Sequence, residues 1–153
     1  MKFVILTDTH FVPRGRKLYG LDPAERLAFA VEKINATHTD ISFVIVSGDL
    51  AHWGEQAAYA SLAGLLAGLH APTILMMGNH DKRDAFRAEF AGADRDGNGF
   101  VQGVRVFDTA TIVTLDTLNE ETPDHAGILC EARLHFLAEA LGTAPADRPL
   151  LLF

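Results

Sequence analysis

The sequence predicts an α/β fold in which a parallel sheet is layered against helices. Three near-continuous apolar runs, rich in branched side chains, lie at residues 2–7, 41–47 and 71–77. Such runs are typical of parallel strands that are covered on both faces. Helical patterns separate them, at residues 22–39 and 55–69. A chain that alternates strand and helix in this way favours right-handed crossovers and a parallel sheet.

The first helical pattern has a clear start signal. Asp22 is suited to the N-cap position, and Pro23 stands in the first turn, where its missing N–H costs nothing. Apolar side chains then recur at helical spacing, at Leu27, Val31 and Ile34. The second pattern, EQAAYASLAGLLAGL, repeats this design. Both segments are therefore predicted to pack an apolar face against the sheet.

The second half of the chain has a less regular pattern. Its predicted elements are a short helix at 81–90, a polar turn at 91–100, two strands within 101–117, an amphipathic helix at 130–143 and a strand that starts within 147–153. The 153 residues suffice for one sizeable core and are too few for two comfortable ones. We therefore predict a single domain over residues 1–153.

Composition and charge narrow the class of protein. The formal net charge of −7 argues against a broad basic surface for nucleic acid or anionic membrane. An acidic protein can still bind a phosphate ester if bound metal ions offset the repulsion. The single cysteine, Cys130, excludes an intrachain disulfide and fits a reducing compartment. With no signal peptide pattern and no apolar run near the ~18 residues of a membrane span, we expect a cytoplasmic protein without a membrane partner.

Polar side chains follow each of the three predicted parallel strands. They are Asp8 and His10 after the first strand, Asp49 after the second, and Asn79 and His80 after the third. The carboxyl ends of parallel strands share the edge of the sheet where ligands bind. Carboxylate, imidazole and amide groups together suit Mn(II), Fe(II) or Zn(II). Because two ions about 3.5–4 Å apart recur in phosphate-ester hydrolysis, the sequence predicts a metal site of this kind.

Three short motifs carry a family resemblance. The segments DTH, GDLAHWG and GNHD resemble the first three signature motifs of calcineurin-like metallophosphoesterases. The stretch THFVPRGRKLYGLDPAERL resembles the subgroup of class III cyclic-nucleotide phosphodiesterases and glycerophosphodiesterases. The likeness spans essentially the whole chain. It implies a layered sheet sandwich flanked by helices, two divalent metal ions (Mn, Fe or Zn) and hydrolysis of small phosphodiesters.

The resemblance also implies a role for each matching residue. Asp8 and His10 would bind the first ion, and Asp49 would bridge the two ions. Asn79 would bind the second ion through its amide oxygen and would also contact the substrate. His80 would lie beside the substrate phosphate, where it stabilises charge or helps to protonate the leaving group. A hydroxide held between the ions would attack phosphorus.

Other polar residues near the motifs have two interpretations each. Asp81 either orients a neighbouring histidine or caps the helix that follows. His52 and Trp53 follow the second motif, where substrate contact and simple packing or exposure are equally good explanations. For His125, a solvated loop position is favoured over a place in the pocket.

The family pattern also calls for histidines that lie beyond Phe153: one after the next core strand and others in a later Gly-His-x-His segment. We therefore expect this chain to be the N-terminal portion of a metallophosphoesterase domain that lacks its C-terminal part. The alternatives are a phosphomonoesterase or nuclease of the same superfamily, or a non-catalytic metal-binding scaffold for a protein partner. A homo-oligomer that shares ligands between copies also stays open.

Overall fold

The computed structural model describes residues 1–122 and 125–153. Within these residues the chain forms two three-stranded sheets and four helices. In chain order the elements are β1 (Phe3–Thr7), α1 (Pro23–Thr37), β2 (Phe43–Ser47), α2 (Gln56–Leu66), β3 (Thr73–Met76), α3 (Arg83–Glu89), β4 (Gly103–Phe107), β5 (Ala110–Thr114), α4 (Glu131–Thr143) and β6 (Leu150–Leu152). Each element predicted from the sequence is present, and the observed bounds are generally shorter.

The first sheet is parallel, with the strand order β1-β2-β3. Its central strand β2 is fully buried from Phe43 to Val46. The prediction that all three strands are covered on both faces is therefore correct for β2. It is wrong for β1, where Ile5 is 49% exposed. Within the described residues β1 pairs with β2 alone, so it is an edge strand of the sheet. The near-continuous apolar pattern does not distinguish a central strand from an edge strand.

The second sheet is mixed: β4 pairs antiparallel with β5, and β5 pairs parallel with β6. It packs face to face on the first sheet. Phe43 and Ile45 point from β2 into this interface, and Ile112 of β5 meets them from the other side. The core between the sheets also contains Ile74, Met76 and the partly buried Phe3, Phe107, Leu151 and Phe153.

Helices cover the outer faces of both sheets. Leu27 of α1 and Leu62 of α2 pack with Val44 and Val46, which are the β2 side chains that face away from the second sheet. On the opposite side, Ala140 of α4 packs against β5. The result is a four-layer arrangement of helices, sheet, sheet and helix, which confirms the predicted sheet sandwich flanked by helices.

The first helix begins as its sequence predicts. The Asp22 side chain accepts a hydrogen bond from the Ala24 amide at 2.9 Å, and Pro23 is the first helical residue. This cap satisfies one of the amides that a helix start leaves without an intrahelical partner. None of the helices that the structure describes is long and apolar enough to cross a bilayer.

Candidate metal centre

The loops after β1 and β2 run side by side beyond the ends of the strands. The amides of Asp8, His10 and Phe11 donate to the carbonyls of Gly48, Asp49 and Leu50, at 3.3, 2.8 and 2.8 Å respectively. These hydrogen bonds extend the parallel pairing of the two strands into the motif loops. They bring the predicted ligands of the first two motifs to the same place on the edge of the sheet.

Three of the predicted ligands stand on left-handed backbone. The φ angles are +54° at Asp8, +43° at His10 and +47° at Asp49. Positive φ is uncommon for residues other than glycine, although Asp and His adopt it more readily than most. Such conformations cluster at functional sites, where the surrounding structure holds them in place. Here the hydrogen bonds between the two loops supply that constraint.

The side chains of these three residues converge on one point. The His10 Nε2 atom lies 3.8 Å from Asp8 Oδ1 and 3.7 Å from Asp49 Oδ2. One donor atom from each of the three residues falls within 4.8 Å of the others. These separations are too long for direct hydrogen bonds. They suit ligands about 2.0–2.2 Å from a shared ion, since two such ligands lie roughly 3–4 Å apart.

The Asp49 carboxylate fits closely against the third motif. Its Oδ1 atom accepts a hydrogen bond from the His80 amide at 3.1 Å. A Cβ atom placed on Gly78 would lie only 2.2 Å from the same oxygen. Gly78 therefore leaves space for the carboxylate, and Gly48, whose φ is +74°, allows the turn that precedes Asp49. The donor set and this space both fit a bound cation.

The third motif places Asn79 and His80 at the same edge. The Nδ1 atom of His80 is 2.8 Å from the carbonyl oxygen of His52 and can only donate to it, so Nε2 is the nitrogen that remains for other groups. The His80 ring also lies edge-on to His10, with centroids 4.8 Å apart. Asn79 Nδ2 is 3.0 Å from His125 Nδ1.

The structure thus brings His125 to the site, although the sequence favours a solvated loop histidine. Its ring is exposed to solvent but stacks on His80 with centroids 5.6 Å apart. An Asn79 amide group that donates to His125 turns its oxygen the other way. The sequence holds no local signal for this contact, because it joins two loops 46 residues apart.

The structure also brings His52 into contact with both His10 and His80. The Nδ1 atoms of His52 and His10 are 3.2 Å apart. Burial lowers the pKa of His52 below its ordinary value, and the neighbouring His80 and His10 lower it further. The sequence interpretation left substrate contact and simple packing equally good for this residue, and neither includes the observed pairing with His10.

Asp81 lies behind the site and is fully buried. Its carboxylate accepts a hydrogen bond from the Tyr59 hydroxyl at 2.9 Å. It also accepts from three backbone amides of the motif loops: Leu50 at 3.1 Å, Ala51 at 2.9 Å and Gly78 at 2.8 Å. Burial raises the pKa of Asp81, against the opposing effect of these amides. The N-cap residue of α3 is Lys82, so Asp81 joins the second and third motif loops rather than capping that helix.

Two cavities flank the convergence point of the carboxylates. One, of about 330 Å³, lies beside Asp8 and His10 and is lined mostly by apolar residues of the following loop and α1, with Tyr19 and Arg26 among them. The other, of about 270 Å³, lies beside Asp49 and Asn79. The site is therefore open to a small molecule on both sides.

Comparison with known proteins places this site in a family. Residues 1–143 match the calcineurin-like phosphoesterase family. The chain is 72% identical over 153 residues to a probable cyclic nucleotide phosphodiesterase of Rhodopseudomonas palustris, covering 100% of this chain and 56% of that protein. It is 34% identical over 151 residues to a cAMP/cGMP dual specificity phosphodiesterase of Mycobacterium tuberculosis, covering 95% of this chain and 46% of the relative.

A third relative is the 3′,5′-cyclic adenosine monophosphate phosphodiesterase CpdA of Escherichia coli K12, with 30% identity over 99% of this chain and 54% of that protein. The chain spans about half the length of these curated relatives. Among solved structures, a purple acid phosphatase from yellow lupin shares the fold, with a TM-score of 0.66 at 13% identity over 98% of this chain and 29% of that one. The sequence, the four-layer fold and the strand-end motifs agree: the chain belongs to the calcineurin-like phosphoesterase family.

Proposed function

We propose that this chain forms the N-terminal part of a metal-dependent phosphodiesterase site. The observation that carries the proposal is the convergence of Asp8, His10 and Asp49, with donor atoms within 4.8 Å of one another. The family implies divalent metal ions, and the donor set suits Mn, Fe or Zn. When bound, such ions supply positive charge for a phosphate and lower the pKa of water toward neutrality.

The residues divide between two ion positions. Asp8 and His10 would hold the first ion, and the Oδ2 atom of Asp49 faces His10 on that side. Asp49 would also reach the second ion, together with the amide oxygen of Asn79. The cavity beside Asp49 and Asn79 provides space for this second position. Asp81 would keep the loops that carry these ligands at a fixed separation.

His80 is proposed to act on the substrate rather than on the metal. Its Nδ1–H donates to the His52 carbonyl, which directs Nε2 away from that backbone. A protonated Nε2 would donate to a phosphoryl oxygen or to the leaving group, and histidine is the usual residue for such proton transfer. Asn79 would contact the same phosphate.

The proposed substrates are small phosphodiesters, with cyclic nucleotides first and glycerophosphodiesters second. Support comes from the names of the relatives, which specify cyclic nucleotides. The net charge of −7 disfavours nucleic acid as a substrate. Bound cations would offset the repulsion between a phosphate and the two carboxylates.

Replacement of Asp49 tests the proposed centre. Asp49→Asn keeps the shape of the side chain but removes the charge that would hold both ions. In the complete protein, we expect Mn(II)-dependent hydrolysis of cyclic AMP and of bis(4-nitrophenyl) phosphate to fall by about 100-fold or more, since the ions supply several kcal/mol of charge stabilisation. The matched control is Asp40→Asn. Asp40 is exposed, pairs with Lys2 at 2.6 Å and precedes β2, at the opposite end of that strand from Asp49.

The outcome separates the proposal from its alternatives. Unchanged hydrolysis in Asp49→Asn would contradict the metal assignment. Hydrolysis of 4-nitrophenyl phosphate alone, without the diesters, would identify a phosphomonoesterase. In the complete protein, stoichiometric Mn(II) binding without turnover of any ester would favour the non-catalytic scaffold.

A further inference from the structure

His52 occupies the position between the two functional histidines. Its Nδ1 atom lies 3.2 Å from His10 Nδ1, and its carbonyl oxygen lies 2.8 Å from His80 Nδ1. The His52 ring stacks on His80 at a centroid distance of 4.9 Å and an angle of 25°. It meets His10 at 5.1 Å and 67°. One residue therefore contacts both histidines, through its ring and through its backbone.

The contact between His52 and His10 places one hydrogen between two ring nitrogens. Two Nδ1 atoms at hydrogen-bond distance share a single hydrogen, which belongs to one ring or the other. The Nε2 atom of His10 faces the carboxylates of Asp8 and Asp49. A neutral His10 can offer a lone pair at Nε2 only if its hydrogen is on Nδ1. His52 must then accept at Nδ1 and carry its own hydrogen on Nε2.

We propose that His52 is a positioning residue that sets the tautomer and orientation of His10 through its ring, and of His80 through its carbonyl. This inference rests on the proposed function, because His10 and His80 have their roles there. Histidine ligands of metal ions commonly need such a partner, which fixes the ring and raises its basicity. In this chain the partner is a second histidine, supplied by the loop after β2.

The same three imidazoles also place nitrogen atoms within 4.8 Å of one another. In the arrangement derived above, His52 has no lone pair left for such an ion, because its Nδ1 accepts from His10 and its Nε2 carries the hydrogen. The observed contacts therefore support an orienting pair rather than a separate three-histidine ion site.

Two substitutions separate hydrogen bonding from ring packing. His52→Phe keeps a flat ring but removes the acceptor. His52→Asn loses the ring but places an oxygen at the δ position, where it can accept from His10. Both variants keep the backbone carbonyl that orients His80. We expect His52→Phe to weaken Mn(II) binding roughly 10- to 100-fold, the usual loss when an orienting partner is removed, and His52→Asn to lose much less.

The second measurement is the tautomer of His10, read from long-range ¹H–¹⁵N correlation spectra without metal at about pH 8, where histidines are largely neutral. The wild-type chain and His52→Asn should carry the His10 hydrogen on Nδ1, and His52→Phe should shift it toward Nε2. The His80 tautomer should be the same in all three proteins, because each keeps the carbonyl that accepts from His80 Nδ1.

Equal Mn(II) affinity and an unchanged His10 tautomer in His52→Phe would overturn the proposal. The opposite ranking would also overturn it: an unchanged Mn(II) affinity in His52→Phe and a reduced one in His52→Asn would indicate that His52 acts by ring packing alone. The tautomer measurement needs no metal. If the complete protein bound no Mn(II) and the wild-type chain kept the Nδ1 tautomer, the proposed metal centre would be refuted and the orienting role of His52 would stay supported.

Discussion

The Asp49 carboxylate has one oxygen that is fixed by neighbouring groups and one that is free to bind a ligand. Its Oδ1 atom accepts from the His80 amide and lies against Gly78, while Oδ2 faces His10. Its main chain is also fixed, because its carbonyl accepts from the His10 amide. A carboxylate constrained in this way presents the same oxygen to a ligand without a large loss of side-chain entropy.

A methyl group at Gly78 should displace this carboxylate. In Gly78→Ala the new Cβ would lie 2.2 Å from Asp49 Oδ1 and 2.4 Å from the Asp49 amide nitrogen, distances at which the loop must shift. We expect Mn(II) affinity, measured by titration followed by electron paramagnetic resonance, to fall about 10-fold or more. Gly92→Ala is the control, since a Cβ there meets nothing within 4 Å. Equal affinities in the two variants would show that Gly78 has no such role.

The sequence predicts location best for residues that directly follow a strand. Asp8, Asp49 and Asn79 each follow a parallel strand, and parallel strands bring such residues to one edge. His52 lies on a loop that the same reasoning also places there. Its pairing with His10, however, depends on the angle between two rings, which no spacing along the chain encodes.

At the scale of elements, the second helix supports the motif loops from behind. The Tyr59 hydroxyl on α2 donates to Asp81 and accepts from the Lys82 amide, each at 2.9 Å. Both Tyr59 and Asp81 are fully buried. Burial and the nearby Asp81 carboxylate raise the pKa of Tyr59, so the hydroxyl keeps its hydrogen at neutral pH. The loop between β3 and α3 is thereby tied to α2.

Removal of that hydroxyl should destabilise the fold. Tyr59→Phe would leave the Lys82 amide without this acceptor and Asp81 without one donor. The expected cost is about 1–3 kcal/mol of unfolding free energy, the range for a buried polar group that loses its partner. Urea unfolding followed by circular dichroism would measure it. Ser61→Ala on the same helix is the control, because its hydroxyl bonds locally to the Ala57 carbonyl. A Tyr59→Phe midpoint equal to that of Ser61→Ala would contradict the role.

The bounds of α2 show where sequence patterns lose precision. The pattern predicts a helix over residues 55–69, and the structure ends it at Leu66. Beyond that point the amides of Gly68 and Leu69 bond to the carbonyls three residues earlier, which tightens the last turn. The apolar periodicity continues through Leu69 because that side chain still packs in the core. Burial and helical backbone therefore end at different residues.

On the scale of the whole molecule, the two sheets depend on one another. Ile112 of β5 is 1% exposed and packs against the β2 and β3 side chains of the first sheet. Asp116, just beyond β5, is also buried and accepts from Arg83, whose Nη2 is 2.9 Å from Oδ1. Arg83 begins α3, which follows the third motif. The second sheet therefore helps to hold the elements that carry the site.

Truncation of Ile112 tests this dependence. Ile112→Ala should lower the unfolding free energy by about 2–5 kcal/mol, because it leaves a cavity between the sheets. Val106→Ala, at a position that is 57% exposed, should cost less than about 1 kcal/mol. In each variant, Trp53 fluorescence and far-ultraviolet circular dichroism should report the same urea midpoint. Separate transitions for the two signals would mean that the sheets unfold independently.

The left-handed backbone at Asp8, His10 and Asp49 has a consequence for how this sequence can change. Glycine adopts such φ angles with less strain than aspartate or histidine. At these three positions, therefore, backbone strain favours a residue that has no side chain to hold an ion. Directed evolution of this chain that selects for thermostability alone would therefore favour glycine at these positions. The fold would be kept and the site would be lost, so each round of selection needs an activity screen.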